Sequence, residues 1–234
     1  RYIPARAGQI NQETQYVLNA FHVEAPIYLD DVMTDARDID MNDIEGVTED
    51  VSLKKAWHMM RDRGDVTLPV VDQGKLTGII TIGDIANAYM DVYDNCILST
   101  AKTSYKNILE TLDAKMIVGS EDGFFESGEV VIATANPDVL EDYIHPGDMV
   151  ILGNRYETQL CAIEMGAACV VISMGAKVSK TIQHFAKEHN CIVINTPYDS
   201  FTVARLINQS MSIGYFMKKE KLTTFRVTDK TEDI

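Results

Sequence analysis

Two side chains suited to binding chemistry sit three residues apart in LTGIITIGDIA, residues 76–86: the hydroxyl of Thr81 and the carboxylate of Asp84. The β-branched run Ile79-Ile80-Thr81 stops at Gly83-Asp84, so a buried strand is expected to turn at once into a helix running through Ala86, Ala88 and Met90. Asp84 then has two readings. It caps the helix by accepting its first N–H groups, or it accepts hydroxyls from a ligand while Thr81 takes a phosphate near the positive helix end. No other stretch competes strongly. The five histidines are isolated and the cysteines Cys96, Cys161, Cys169 and Cys191 lack the short spacing of a zinc site, so no bound metal is expected. The Gly-containing run GSEDGFFESGE, residues 119–129, is acidic and lacks a Gly-Lys-Ser/Thr ending, which reads as a surface loop rather than a phosphate loop.

The elements that must position Thr81 and Asp84 follow from periodicity. Residues 9–22 read as a short helix with Ile10, Tyr16 or Val17, Ala20 and Phe21 near one face, broken at Ala25-Pro26. YLDDVM, residues 28–33, reads as a helical turn, and VSLKKAWHMMRDRG as an amphipathic helix with Leu53, Ala56, Trp57 and Met60 inward and Gly64 ending it. TLPVVD and KLTGIITI are two strands joined by a tight turn at Gln73-Gly74, and DIANAYMDVYDNCIL is the closing helix. The expected unit is a β-α-β-β-α module.

From residue 103 the texture changes. AKMIVGS, EVVIATA, DMVILG, ACVVISM and CIVINT alternate with helical stretches such as YETQLCAIEMG, SKTIQHFAKEHN and DSFTVARLINQS, the mark of a parallel sheet covered on both faces. The fold class is therefore α/β and α+β. In the last stretch SIGYFM resembles YLDDVM and RVTDKTEDI resembles GVTEDVSL, a weak repeat that reads as the start of a second copy of the first module.

Composition narrows the function. An apolar content of 46% in 234 residues supports packed cores, and no apolar run reaches the roughly 18 residues of a membrane span. The N-terminal stretch lacks the apolar centre of a signal peptide and the cysteines read as reduced, so the expected location is cytoplasmic, with no membrane partner. The formal charge of −14 argues against nucleic acid, which is bound by releasing counterions onto a basic surface.

The order VMT, LPVVD and GIITIGDI resembles a CBS domain over residues 27–102, and LGNRYETQLCAIEMGAACVVISMGA with NTPYDSFTVARL resembles a DRTGG domain over residues 103–212. Asn154-Arg155 and Ser173-Met174-Gly175-Ala176 hold that motif in altered form. Residues 213–234 resemble part of a second CBS domain, and ARAGQINQETQYVLNAFHVEAPIYLDDV, residues 5–32, resembles a catalytic-domain segment of family II inorganic pyrophosphatases, so that residues 1–26 are expected to hold the catalytic-domain helix that precedes a CBS, DRTGG and CBS insert in some members of that family.

The resemblance implies adenine-nucleotide binding (AMP, ADP, ATP or a diadenosine polyphosphate) that controls a pyrophosphatase catalytic domain of the same polypeptide. In the CBS family the residue at Asp84 takes ribose hydroxyls and that at Thr81 takes phosphate. Thr34, Ile44 and the Val66-Thr67-Leu68-Pro69 run, through Val66, Thr67 and Pro69, would frame the base, and cations would come from Lys219, Lys221 or Arg226. Manganese or cobalt belongs to the catalytic domain, whose clustered Asp and His ligands this chain lacks, so no hydrolysis is expected from it. A homodimer through CBS modules is implied. The alternative is a structural or dimerisation insert without a ligand, with Asp84 only a cap. An α/β enzyme is the weakest reading, since residues 103–212 show no nucleophile–base pair.

Overall fold

The computed structural model describes residues 3–29, 35–41, 43–90, 94–219 and 222–231. The chain forms two units, residues 1–43 with 222–234, and residues 44–221. In the first, β1 (Ala5–Arg6) and β2 (Ile27–Tyr28) pair in parallel on either side of α1 (Gln12–Ala20). Asn11 caps α1 by accepting from the Thr14 N–H at 2.8 Å. Tyr16, Val17 and Phe21 are exposed and α1 has no buried residue, so the apolar face expected there meets no core among the described residues. The Lys230 ammonium and the Arg37 guanidinium hold the Asp35 carboxyl below its usual range. Of the expected turn YLDDVM, Tyr28 lies in β2, while residues 30–33, and Thr34 with them, lie outside the described residues.

The second unit opens at Ile44, and the single parallel bridge of Val47 to Val70 stands where a first strand is expected. In α2 (Leu53–Arg63), Ser52 accepts from the Lys55 N–H, and Gly64 closes the helix at φ 76°, a left-handed conformation suited to glycine. Leu53, Ala56 and Met60 are buried, but Trp57 is 40% exposed, lying at the flank of that face rather than in the core. β3 (Thr67–Asp72) and β4 (Lys75–Thr81) form an antiparallel hairpin. Its turn residues Gln73 and Gly74 have φ of 46° and 78°, the two positive values that match the twist of the strands. The chain passes straight from β4 into α3 (Ile82–Met90), and then to α4 (Ile97–Thr100). The expected helix through Leu98 is thus described as two, with residues 91–93 outside the description.

Next come β5 (Thr103–Ser104), α5 (Tyr105–Thr111), β6 (Lys115–Val118), β7 (Phe124–Phe125), β8 (Val130–Ile132), α6 (Pro137–Leu140) and β9 (Met149–Leu152). They are followed by α7 (Tyr156–Glu164), β10 (Cys169–Ile172), α8 (Lys180–Glu188), β11 (Ile192–Asn195) and α9 (Ser200–Leu206). The sheet order is β6-β11-β10-β9-β8. Strands β8 to β11 are parallel as expected, but β6 runs antiparallel to β11 at the edge. The next sheet strand, β8, lies at the opposite edge, so no strand-helix-strand crossover to a neighbour sets the direction of β6. The acidic run between β6 and β8 is more than a loop: β7 pairs with β5, and its alternation exposes Phe124 while burying Phe125.

Alternation also explains why the sheet strands read as continuous apolar runs. Val150, Leu152, Val170, Ile172 and Val193 pack under α6, α7 and α8 with Leu140, Ala162 and Ile182. Met149, Ile151, Cys169, Val171 and Ile194 face the other way, into a core shared with Tyr105 and Ile108 of α5 and with Leu53, Met60, Leu68, Val70, Ile80 and Ala88 of the β3–β4 module. Both faces are covered, so every position must be apolar. The start of the partial repeat returns to the first module. The Ile213 N–H donates to the Val51 carbonyl at 2.8 Å, Lys218 and Ile79 exchange backbone bonds at 2.9 and 3.2 Å, and Met211, Ile213 and Met217 enter the shared core.

Candidate functional site

Thr81 ends β4 and is the residue from which α3 starts. Its Oγ1 accepts from the Asp84 N–H at 3.2 Å, and Asp84 Oδ2 accepts from the Thr81 N–H at 2.9 Å and from the Thr81 hydroxyl at 2.7 Å. This is a reciprocal capping arrangement in which Thr81 caps the helix and Asp84 stands in its first turn. The helix begins at Ile82, two residues before the Asp84 start that the sequence suggests, because the Thr81 hydroxyl satisfies an N–H that a later cap would leave unpaired.

The second oxygen of Asp84 does something else. Oδ1 faces the Lys218 ammonium at 3.2 Å, with the Asp84 side chain 12% exposed and that of Lys218 mostly in solvent. Burial raises the pKa of Asp84, but the hydrogen bonds from the Thr81 hydroxyl and N–H and the nearby Lys218 charge outweigh it, so the carboxyl stays below its usual range and is ionised at neutral pH. Beside it a cavity of about 190 Å³ is lined by Asp84, Asn87, Ala88, Ile97 and Phe216. An ionised carboxylate with one oxygen directed to a solvated ammonium can accept hydroxyl donors such as a ribose diol, and the ammonium can then serve a phosphate.

The hairpin register brings further candidates to the same end of the module. Thr67 pairs with Thr81 and Pro69 with Ile79, and the Val66 carbonyl accepts from the Ile82 N–H at 3.0 Å while its side chain is exposed. Ile44 is partly buried and precedes the Val47–Val70 bridge by three residues, as Thr67 precedes Val70. Lys219 lies elsewhere, 3.8 Å from Glu49. Arg226 belongs to the other unit, where its N–H donates to Asp229 at 2.7 Å. Thr34 and Lys221 lie outside the described residues. Sequence reasoning missed Lys218. The signal was present, since in an extended segment adjacent residues point to opposite sides and only one of Lys218 and Lys219 could face Asp84.

On the far side of α3 an apolar cleft of about 360 Å³ runs between α2 and α3, with Trp57, Ile85 and Tyr89 among its walls. Among the described residues no group of His, Cys, Asp or Glu is placed to hold a metal ion, and no helix is long and apolar enough to cross a membrane.

Comparison with known proteins agrees with this architecture. Residues 31–91 match the CBS domain and residues 107–210 the DRTGG domain. The chain is 40% identical over 233 residues to the cobalt-dependent inorganic pyrophosphatase of Clostridium perfringens, and 29% identical over 233 residues to a probable manganese-dependent inorganic pyrophosphatase of Thermotoga maritima. The matches take in 99% and 100% of this chain but only 42% of the length of each relative. The crystal structure of the CBS and DRTGG domains of the regulatory region of the C. perfringens pyrophosphatase, complexed with its activator diadenosine tetraphosphate, is similar with a TM-score of 0.79 and 38% identity. That match covers 85% of this chain and 87% of the other.

Proposed function

Because this chain belongs to the family of CBS–DRTGG regulatory regions of inorganic pyrophosphatases, we propose that it senses adenine nucleotides and passes the signal to a manganese- or cobalt-dependent pyrophosphatase domain of the same polypeptide. The observation that carries the proposal is the Asp84 carboxylate, ionised at a strand–helix junction beside a cavity and answered by Lys218. Asp84 Oδ1 takes the ribose hydroxyls, Val66, Thr67 and Pro69 frame the base with Ile44, and Lys218, beside the positive end of α3, takes phosphate. The relative's activator suggests a diadenosine polyphosphate as the preferred ligand. One such molecule would serve two chains, because tethering its adenosines raises the effective concentration of the second half and avoids the clash of two separate phosphates. The exposed Trp57 and Tyr89 beside the apolar α2–α3 cleft support pairing of two chains through their CBS modules.

Calorimetry with AMP, ATP and diadenosine tetraphosphate tests the reading. Asp84→Ala is expected to weaken binding by about 1.5–3 kcal/mol, the scale of a hydrogen bond to a charged group. Equal affinity in the variant would leave Asp84 a helix-capping residue and favour the rival reading, a structural insert without ligand, which rests on the reciprocal bonds of Thr81 and Asp84. The chain alone is expected to show no turnover of diphosphate with added manganese or cobalt.

A further inference from the structure

The parallel strands β8 and β9 end side by side at Ile132 and Leu152, and the segments that follow them enclose a cavity of about 220 Å³. Its walls are Ala133, Thr134, Gly153, Asn154, Arg155 and Thr158. The carboxyl ends of parallel strands are where α/β sheets ordinarily bind ligands. The nine-residue helix α7 opens at this point, and the side chain of its cap residue, Arg155, accepts no hydrogen bond from it. A helix start of this kind favours an anion but does not by itself make a site.

Thr158 supplies the independent observation. Only 3% of the residue is exposed, yet its hydroxyl has no hydrogen-bond partner, not even the Asn154 carbonyl one turn back that a helical threonine ordinarily uses. A buried hydroxyl left unsatisfied is costly and uncommon. Arg155 is exposed and has no acidic partner among the described residues. Glu157, in the same first turn, is exposed and is not part of the cavity wall. The Gln159 amide donates to the Gly153 carbonyl at 2.9 Å and steadies the loop that carries the exposed Asn154 and Arg155. Two hydroxyls, an amide and a guanidinium without an opposing carboxylate form a donor-rich wall.

We infer that this cavity, at the altered DRTGG motif and separate from the Thr81–Asp84 site, binds the phosphoryl group of a small anion. Its volume falls below the roughly 300–1,000 Å³ of sites that enclose a whole drug-sized ligand, which suits phosphate or diphosphate rather than a complete nucleotide. Arg155 meets two phosphoryl oxygens through its planar fork, and the Thr158 hydroxyl, whose oxygen is closed to solvent, finds the acceptor it lacks by turning about its Cα–Cβ bond into the cavity.

The test is amide NMR of the whole chain titrated with inorganic phosphate, diphosphate and, separately, AMP. Saturable shifts are expected at residues 153–158, with Arg155→Gln and Thr158→Val each weakening affinity at least tenfold. Gly153→Leu should weaken the response while the chain stays folded, because Gly153 lines the cavity and nothing lies within 4 Å of a Cβ there. Saturation by phosphate or diphosphate alone identifies a free anion as the ligand, and saturation by AMP with the same sensitivity to the variants identifies a nucleotide phosphate. Absence of saturable shifts at residues 153–158 would overturn the inference, as would affinities unchanged in Arg155→Gln and Thr158→Val.

Discussion

Replacing Asp84 with alanine removes three hydrogen-bonding contacts at once, those from the Thr81 N–H and hydroxyl at 2.9 and 2.7 Å and from Lys218 at 3.2 Å. Lys218 is largely solvated and loses little, as exposed ion pairs contribute only about 0–1 kcal/mol. The Thr81 contacts are more enclosed, and loss of a helix cap costs about 0.5–2 kcal/mol. The expected destabilisation of ligand-free protein is therefore about 1–2 kcal/mol, or roughly 2–8 °C in Tm for a chain of this size. Thr81→Val breaks the same reciprocal pair from the other side, so the double variant should be less destabilised than the sum of the single variants, by about 0.5 kcal/mol or more. Because the folded-state pKa of Asp84 is depressed, its contribution is full above the unfolded value of about 3.9 and is lost as pH falls through the lower folded value. The difference in Tm between wild type and Asp84→Ala should accordingly be constant from neutral pH to about pH 5 and shrink below about pH 4. Thermal unfolding followed by circular dichroism reads both effects. Strict additivity with Thr81→Val, or a difference that grows on acidification, would refute the assignment of Asp84 as an ionised partner of Thr81.

Gly128→Ala should be among the most damaging single-methyl changes, since Gly128 has φ of 85° and an added Cβ would overlap the Gly147 carbonyl and come within 2.7 Å of the Asp148 nitrogen. A loss of at least about 2 kcal/mol is expected by denaturant unfolding. Gly78→Ala should loosen the return of residues 216–218 onto β4, because its Cβ would meet Met217 Sδ at 2.8 Å and the Lys218 carbonyl at 3.1 Å. Faster hydrogen exchange at Ile79 and Lys218 with β3 unaffected would show it. At pH 8, thiol reagents should leave Cys161, Cys169 and Cys191 unlabelled in the native protein, since burial raises all three thiols and pushes Cys191 up to about 12. Cys96, partly exposed but raised by burial and by Asp94 and Glu129, should label first and slowly, as peptide mass spectrometry would report.

Local chemistry determined much of this molecule without reference to the rest of the chain. Gln73-Gly74 specifies a turn needing two positive φ values, Ser52 and Gly64 bracket a helix, and apolar runs between amphipathic stretches specify a sheet covered on both faces. The spacing of Thr81 and Asp84 likewise marks a strand end with a capping or binding carboxylate, because both act within one helical turn. Tertiary structure decided what depends on partners distant in sequence. The edge strand β6 is free to run antiparallel because its neighbour β11 comes more than seventy residues later, with no direct crossover between them, and Trp57 lies at a cleft because its helix face is wider than the core it meets. Lys218 rather than Lys219 answers Asp84 because the backbone pairing of Lys218 with Ile79 sets which side each lysine faces. The unpartnered Thr158 hydroxyl was equally illegible, since an absent hydrogen bond is a property of the assembled surroundings and no residue type or spacing announces it.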